Sequence, residues 1–84
     1  PFLFPGEGLL SKLPLFKSAE ICKIHDQDLE QRLLEMGCTP GEKITVVRRA
    51  PFKGPIAIMV SSYMLSIRYD DACNIDIKVI NNEG

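Results

Sequence analysis

The side chains able to hold a metal or move a proton are few and scattered: one histidine, His25, and three cysteines, Cys22, Cys38 and Cys73, in 84 residues. A transition-metal site usually takes three or four His, Cys or carboxylate ligands. The nearest approach to one is His25 beside Asp26, with Cys38 brought in by folding, and the plain reading of His25 is a strand-end side chain. An odd cysteine count with no Cys-x-x-Cys pair gives neither a disulfide framework nor a zinc knuckle, and suits a reducing compartment. Cys22 and Cys73 lie amid apolar alternation and read as buried core thiols. No Ser-His-Asp or Cys-His pattern and no glycine-rich phosphate loop occurs, and the glycines are spread as turn residues. The chain therefore reads as a non-enzyme without a cofactor or a metal of its own.

What remains is the chemistry of recognition. The segment Ala50-Pro51-Phe52-Lys53-Gly54-Pro55 is a loop by its two prolines and glycine, and it carries an aromatic and a cation where its tip should be. Loops of this kind on a rigid scaffold are where binding is usually placed. The bland alternative is that Phe52 folds back over the end of the core. Arg48, Arg49, Lys53 and Arg68 form a candidate basic patch beside it, facing an acidic partner or lipid head groups, against the alternative of a solvated strand face. A third candidate is the helix face of Gln31, Arg32 and Glu35. The predicted partner-binding set is thus Arg32, Arg48, Arg49, Pro51, Phe52, Lys53 and Arg68.

Composition bounds who the partner is. A net charge of −1 and a pI near 5.8 leave no electrostatic footprint for a phosphate backbone, so nucleic acid is excluded as the default partner. No run approaches the roughly 18 to 20 apolar residues of a membrane span, so no direct insertion is expected. With 45% hydrophobic residues but no Trp, the core must be filled by Ile, Val and Leu, which favours strands.

These residues are positioned by the stretch from Leu33 to Pro51, which packs a helix end, a turn and a strand with nothing to spare. Leu29, Leu33 and Met36 recur at i, i+4 and i+7, placing them on one face of a short helix. Gly37 stops it, and Asp26 or Asp28 can cap its start. Pro40-Gly41 suits a type II turn. Lys43 to Arg49 then alternates as a strand, with Ile44 and Val46 inward, and Pro51 ends the ladder. Further strands are predicted over Glu20 to Ile24, Ile56 to Val60, Tyr63 to Ile67 and Ile75 to Val79, with a two-residue turn at Ser61-Ser62 and one helical turn near Asp70 to Asn74. The inward set is Ile21 or Ile24, Leu33, Met36, Ile44, Val46, Ile56, Ile58, Leu65, Ile67, Ile75 and Ile77.

That order of pieces resembles the ferrous iron transport protein A (FeoA) family: Arg32-Leu33-Leu34, Met36-Gly37, Pro40-Gly41, Ala50-Pro51, Pro55-Ile56, Leu65-Ser66-Ile67-Arg68 and Asp71-Ala72-x-x-Ile75. The ordered set, more than any one piece, carries the resemblance, which spans roughly residues 10 to 80. It implies a mainly β fold, a small SH3-like antiparallel barrel of about five strands, with the helix between the first and second. It also implies a cytoplasmic accessory protein of Fe²⁺ uptake, acting on the cytoplasmic GTP-binding domain of the membrane transporter FeoB. The competing readings are a small transition-metal-binding protein and the SH3-like regulatory domain of metal-dependent repressors. Residues 1–9, which open on Pro rather than Met, read as an apolar arm or a tag remnant, and 81–84 as a polar tail. Weak self-association through that arm or a barrel edge is a further expectation.

Overall fold

A computed structural model describes residues 6–80. Six strands, β1 Glu7–Leu9, β2 Ser18–Ile24, β3 Lys43–Arg49, β4 Ile56–Val60, β5 Tyr63–Ile67 and β6 Ile75–Val79, form one antiparallel sheet in the order β1-β6-β2-β3-β4-β5. Two helices, α1 Gln27–Glu35 and α2 Tyr69–Ala72, and a 3₁₀ turn at Leu10–Lys12 complete it. Five strands were expected. The sixth comes from Glu7–Leu9, residues assigned to the arm, which pair with Lys78, Ile77 and Asp76. The helix consequently follows the second strand, not the first. The apolar residues Phe2, Leu3 and Phe4, and the polar tail, lie outside the described residues.

Two β-bulges bend the sheet on itself, one between Ile21 and Lys23 against β6, the other between Val46 and Arg48 against β4. The first corrects the expected facing of β2. An extra residue shifts the side-chain phase, so Ile21 and Ile24 are both buried while Cys22 and Lys23 both face out. Cys22 is therefore not a core thiol, and Cys73 is half-buried; Cys38 is the cysteine that joins the core.

Helix α1 starts where the sequence allows. The Asp26 carboxylate accepts the Leu29 N–H at 3.0 Å, which settles the choice of cap, and Asp28 and Glu30 stand in the first turn near the positive end of the dipole. Leu29 and Leu33 are buried against the sheet. Met36 is not, because the helix ends at Glu35 and Met36 serves as its C-cap, turned 47% to solvent. Gly37 follows at φ 77°, a conformation that a side chain would strain. Leu65, on the last strand of the sheet, is only half-buried.

The core is aliphatic, as composition required: Ile44, Val46, Ile56, Ile58, Ile75 and Ile77 from the sheet, closed by Leu10 and Leu13 from the 3₁₀ segment. That segment is pinned from across the sheet by Arg49, whose guanidinium donates to the carbonyls of Ser11 at 2.7 Å and Leu13 at 2.8 Å.

Candidate partner-binding surface

The loop joining β3 to β4 is a rigid device. Gly54 N–H donates to the Pro51 carbonyl at 3.1 Å, and Ala50 N–H to the Pro55 carbonyl at 3.0 Å, closing a tight turn with Phe52 and Lys53 at its tip. Both tip residues have positive φ, 59° and 58°, as the two central positions of a type I′ turn demand. Asn-Gly fills such positions at little strain; a non-glycine residue held there costs on the order of 1 kcal/mol or more. Gly54 is required for a different reason, since a Cβ there would stand 2.7 Å from that of Ala50.

Phe52 is 98% exposed. It does not fold back over the core. The ring is held away from its own protein on a strained and cross-braced turn. The strain is measurable: replacing Phe52-Lys53 by Asn-Gly is expected to raise the melting temperature by roughly 5 °C, and an unchanged or lower value in a thermal melt would show that the tip is unstrained.

The outer face of β3, β4 and β5 runs down from this tip as a shallow trough lined by Arg48, Pro55, Ala57, Met64 and Ser66. Met64 is 55% exposed, and Met59, its cross-strand neighbour, 37%. Flexible thioethers make a surface that adapts to a partner. Arg48 is thus the cation of the trough. On the other side of the tip, Lys53, Pro55, Arg68 and Tyr69 line a second hollow, with the Lys53 ammonium 5.9 Å from the centre of the Tyr69 ring.

The expected basic patch is redistributed. Arg49 leaves it, because its guanidinium is committed to the Ser11 and Leu13 carbonyls. Arg68 donates to both oxygens of Asp71, at 3.1 and 3.4 Å, which holds its guanidinium charged, while Arg32 approaches the same carboxylate at 3.9 Å. Arg32 and Arg68, 36 residues apart in sequence, are thereby gathered around the carboxylate of Asp71, whose side chain is only 12% exposed. Pro51 supplies the acceptor that closes the tip. Sequence reasoning did not single out Met59, Met64, Tyr69 or Asp71 as site residues. The Asp71-Ala72 piece of the family pattern was the one signal available.

The cluster imagined around His25 is not assembled. His25 Nε2 is 2.8 Å from Asp76 Oδ2, Asp26 caps α1, and Cys38 is fully buried. Among the described residues no group of three or more His, Cys, Asp or Glu side chains could hold a metal ion. Burial, with help from Glu42, pushes the Cys38 thiol up to about 11, and partial burial followed by Glu7 and Glu20 raises that of Cys22. A folded-state pKa above the unfolded value near 8.5 means stability that is complete below about pH 8.5 and is lost as pH rises towards 11. The denaturant midpoint is therefore expected to fall between pH 8.5 and 10.5, with a smaller slope in Cys38→Ala. A thiol reagent at pH 8 should label Cys22 first and Cys38 only on unfolding; early labelling of Cys38 would contradict its burial.

The FeoA domain model matches residues 9–79. The chain belongs to the FeoA family. Over 76 residues, 89% of its length, it is 34% identical to the Fe(2+) transport protein A/Fe(2+) transporter FeoB fusion protein of Porphyromonas gingivalis (strain ATCC BAA-308 / W83). It spans only 9% of that curated relative. Among solved structures it is similar to zinc-complexed FeoA of Stenotrophomonas maltophilia, described as a procaryotic SH3 domain protein, at TM-score 0.73 and 26% identity, covering 84% of this chain and 89% of that one. The fold is SH3-like, as the resemblance implied. A manganese-dependent transcriptional repressor superposes at TM-score 0.79 over 88% of this FeoA-family chain and 42% of its own, and at 16% identity shares the fold alone. No helix among the described residues is long and apolar enough to cross a membrane.

Proposed function

We propose that this FeoA-family chain is a non-catalytic accessory module of ferrous iron transport, working in the cytoplasm by docking on the cytoplasmic GTP-binding part of a FeoB-type transporter. The observation that carries the reading is Phe52, an aromatic with almost its whole surface in water, fixed by two left-handed residues and two loop-closing hydrogen bonds. Buried aromatic anchors dominate protein interfaces, and a preorganised one loses little entropy on binding. The fusion in the Porphyromonas relative supports the choice of partner, since two domains on one chain meet at high effective concentration. In this reading Fe²⁺ is the transporter's cargo, and the module sets the activity or assembly of the machine that moves it.

The footprint is the Phe52 tip with Pro51 and Lys53, the trough below it with Arg48, and the Arg68 and Arg32 cluster at its flank. Calorimetric titration of the chain into the GTP-binding domain of its own organism's transporter, with and without nucleotide, should give saturable binding. Failure to bind that domain in any nucleotide state, and failure to bind the whole transporter, would sink the proposal.

A further inference from the structure

We infer that the cleft between α1 and the outer edge of β5 receives an extended segment of the transporter as a seventh strand, apolar at alternate positions and bearing a carboxylate that meets Arg32. The identity of the partner rests on the reading above; the edge itself is argued from geometry.

Strand β5 ends the sheet order and pairs with β4 alone. Proteins keep such edges from recruiting other chains with Pro, charge, bulges or very short strands. The opposite edge, β1, has three residues. By contrast β5 has five, Tyr-Met-Leu-Ser-Ile, with no charge and no proline, and its ladder with β4 runs five pairs without a shift. A two-residue turn at Ser61-Ser62 requires the flanking Val60–Tyr63 pair to be of the hydrogen-bonded kind, so the alternation of an antiparallel ladder in this register turns the N–H and C=O groups of Met64 and Ser66 away from β4. Among the described residues, no backbone hydrogen bond outside the ladders engages either residue.

Beside this edge lies a cleft, walled by Leu29 and Leu33 of α1, by Met36 at its C-cap, and by Leu65 and Ile67 of β5. One end is closed by the Tyr63 hydroxyl, which donates to the Met36 carbonyl. At the other end stand Arg32, Arg68 and Asp71. Asp71 is hydrogen-bonded by Arg68, whereas Arg32 reaches that carboxylate only at 3.9 Å, makes no hydrogen bond among the described residues and has half its side chain in solvent. An added strand would gain main-chain bonds from Met64 and Ser66, apolar contacts from α1, and one ion pair with Arg32. The charge argues for a partner over a second copy, because β5 of another copy brings no carboxylate to Arg32.

The test uses the whole chain, the whole transporter in detergent, and amide hydrogen exchange. Ser66→Pro removes one outward N–H while leaving the β4 ladder intact, a change that edge strands accept. It should weaken binding about tenfold with circular dichroism unchanged, the loss expected for one main-chain hydrogen bond, while Ser66→Ala stays within about twofold. Arg32→Glu should weaken it too. In the wild-type complex, exchange of the Met64 and Ser66 amides should slow. Unchanged exchange at both, or full binding by Ser66→Pro, would overturn the inference and leave the Phe52 docking standing. Slowing in the isolated chain that grows with its own concentration would assign the edge to a second copy, also overturning it. A wild-type chain that binds no part of the transporter would overturn both this and the function proposed above.

Discussion

Phe52→Ala should reduce affinity for the transporter by at least about 30-fold, the loss of roughly 2 kcal/mol or more typical of an aromatic anchor at the centre of an interface. The fold should not notice. At 98% exposure the ring packs on nothing in its own chain, so its removal opens no cavity and uncovers no apolar neighbour. This separation makes the result interpretable: a binding loss with an unchanged melting curve and circular dichroism can only come from the surface. Phe52→Tyr, which keeps the ring, should recover most of the affinity. Lys53→Ala and Arg48→Glu should act more weakly and mainly on the association rate, because exposed charges steer encounter more than they hold the complex. If Phe52→Ala binds as the wild type does in every nucleotide state, the tip is not the anchor.

Ile58→Ala should have the largest effect on stability, about 2 to 5 kcal/mol. Ile58 is fully buried at the middle of β4, flanked by Val46 on β3 and Leu65 on β5. The sheet on either side is held by its own ladders and cannot collapse into the space left. A domain of this size has only about 5 to 10 kcal/mol in hand, so the variant should be partly unfolded at 37 °C and melt 10 °C or more below the wild type. A melting temperature within about 3 °C would mean that the core tolerates the cavity. The two substitutions are complementary, one weakening binding without touching the fold and the other unfolding the domain without altering its surface side chains.

The contrast between these positions was partly visible in the amino acids alone. Ile58 sits in strict alternation with Ala57 and Met59, and alternation names the buried face wherever a ladder is regular. It misled at Cys22, where a bulge inserts one residue and inverts the phase from there on. Arg49 was legible as a cation on a strand but not as the clamp on the Ser11 and Leu13 carbonyls, a contact made across 36 and 38 positions of chain. Met36 kept the helical spacing while the backbone had already left the helix. The short edge strand Glu7–Leu9 was hidden by a neighbourhood rich in Pro and Gly, whose propensities oppose a strand until β6 is there to pair with it.

By itself the sequence determined the helix and its stops, five of the six strands, the turns at Pro40-Gly41 and Ser61-Ser62, the aliphatic core and the family, because each depends on neighbours within a few residues or on an ordered series of such local signals. Tertiary structure alone decided that Phe52 stands clear of the core on a strained turn, that Arg32 and Arg68 meet at Asp71, and that β5 is left as an open edge. These are outcomes of how a bent sheet brings distant segments together, and no local periodicity encodes them.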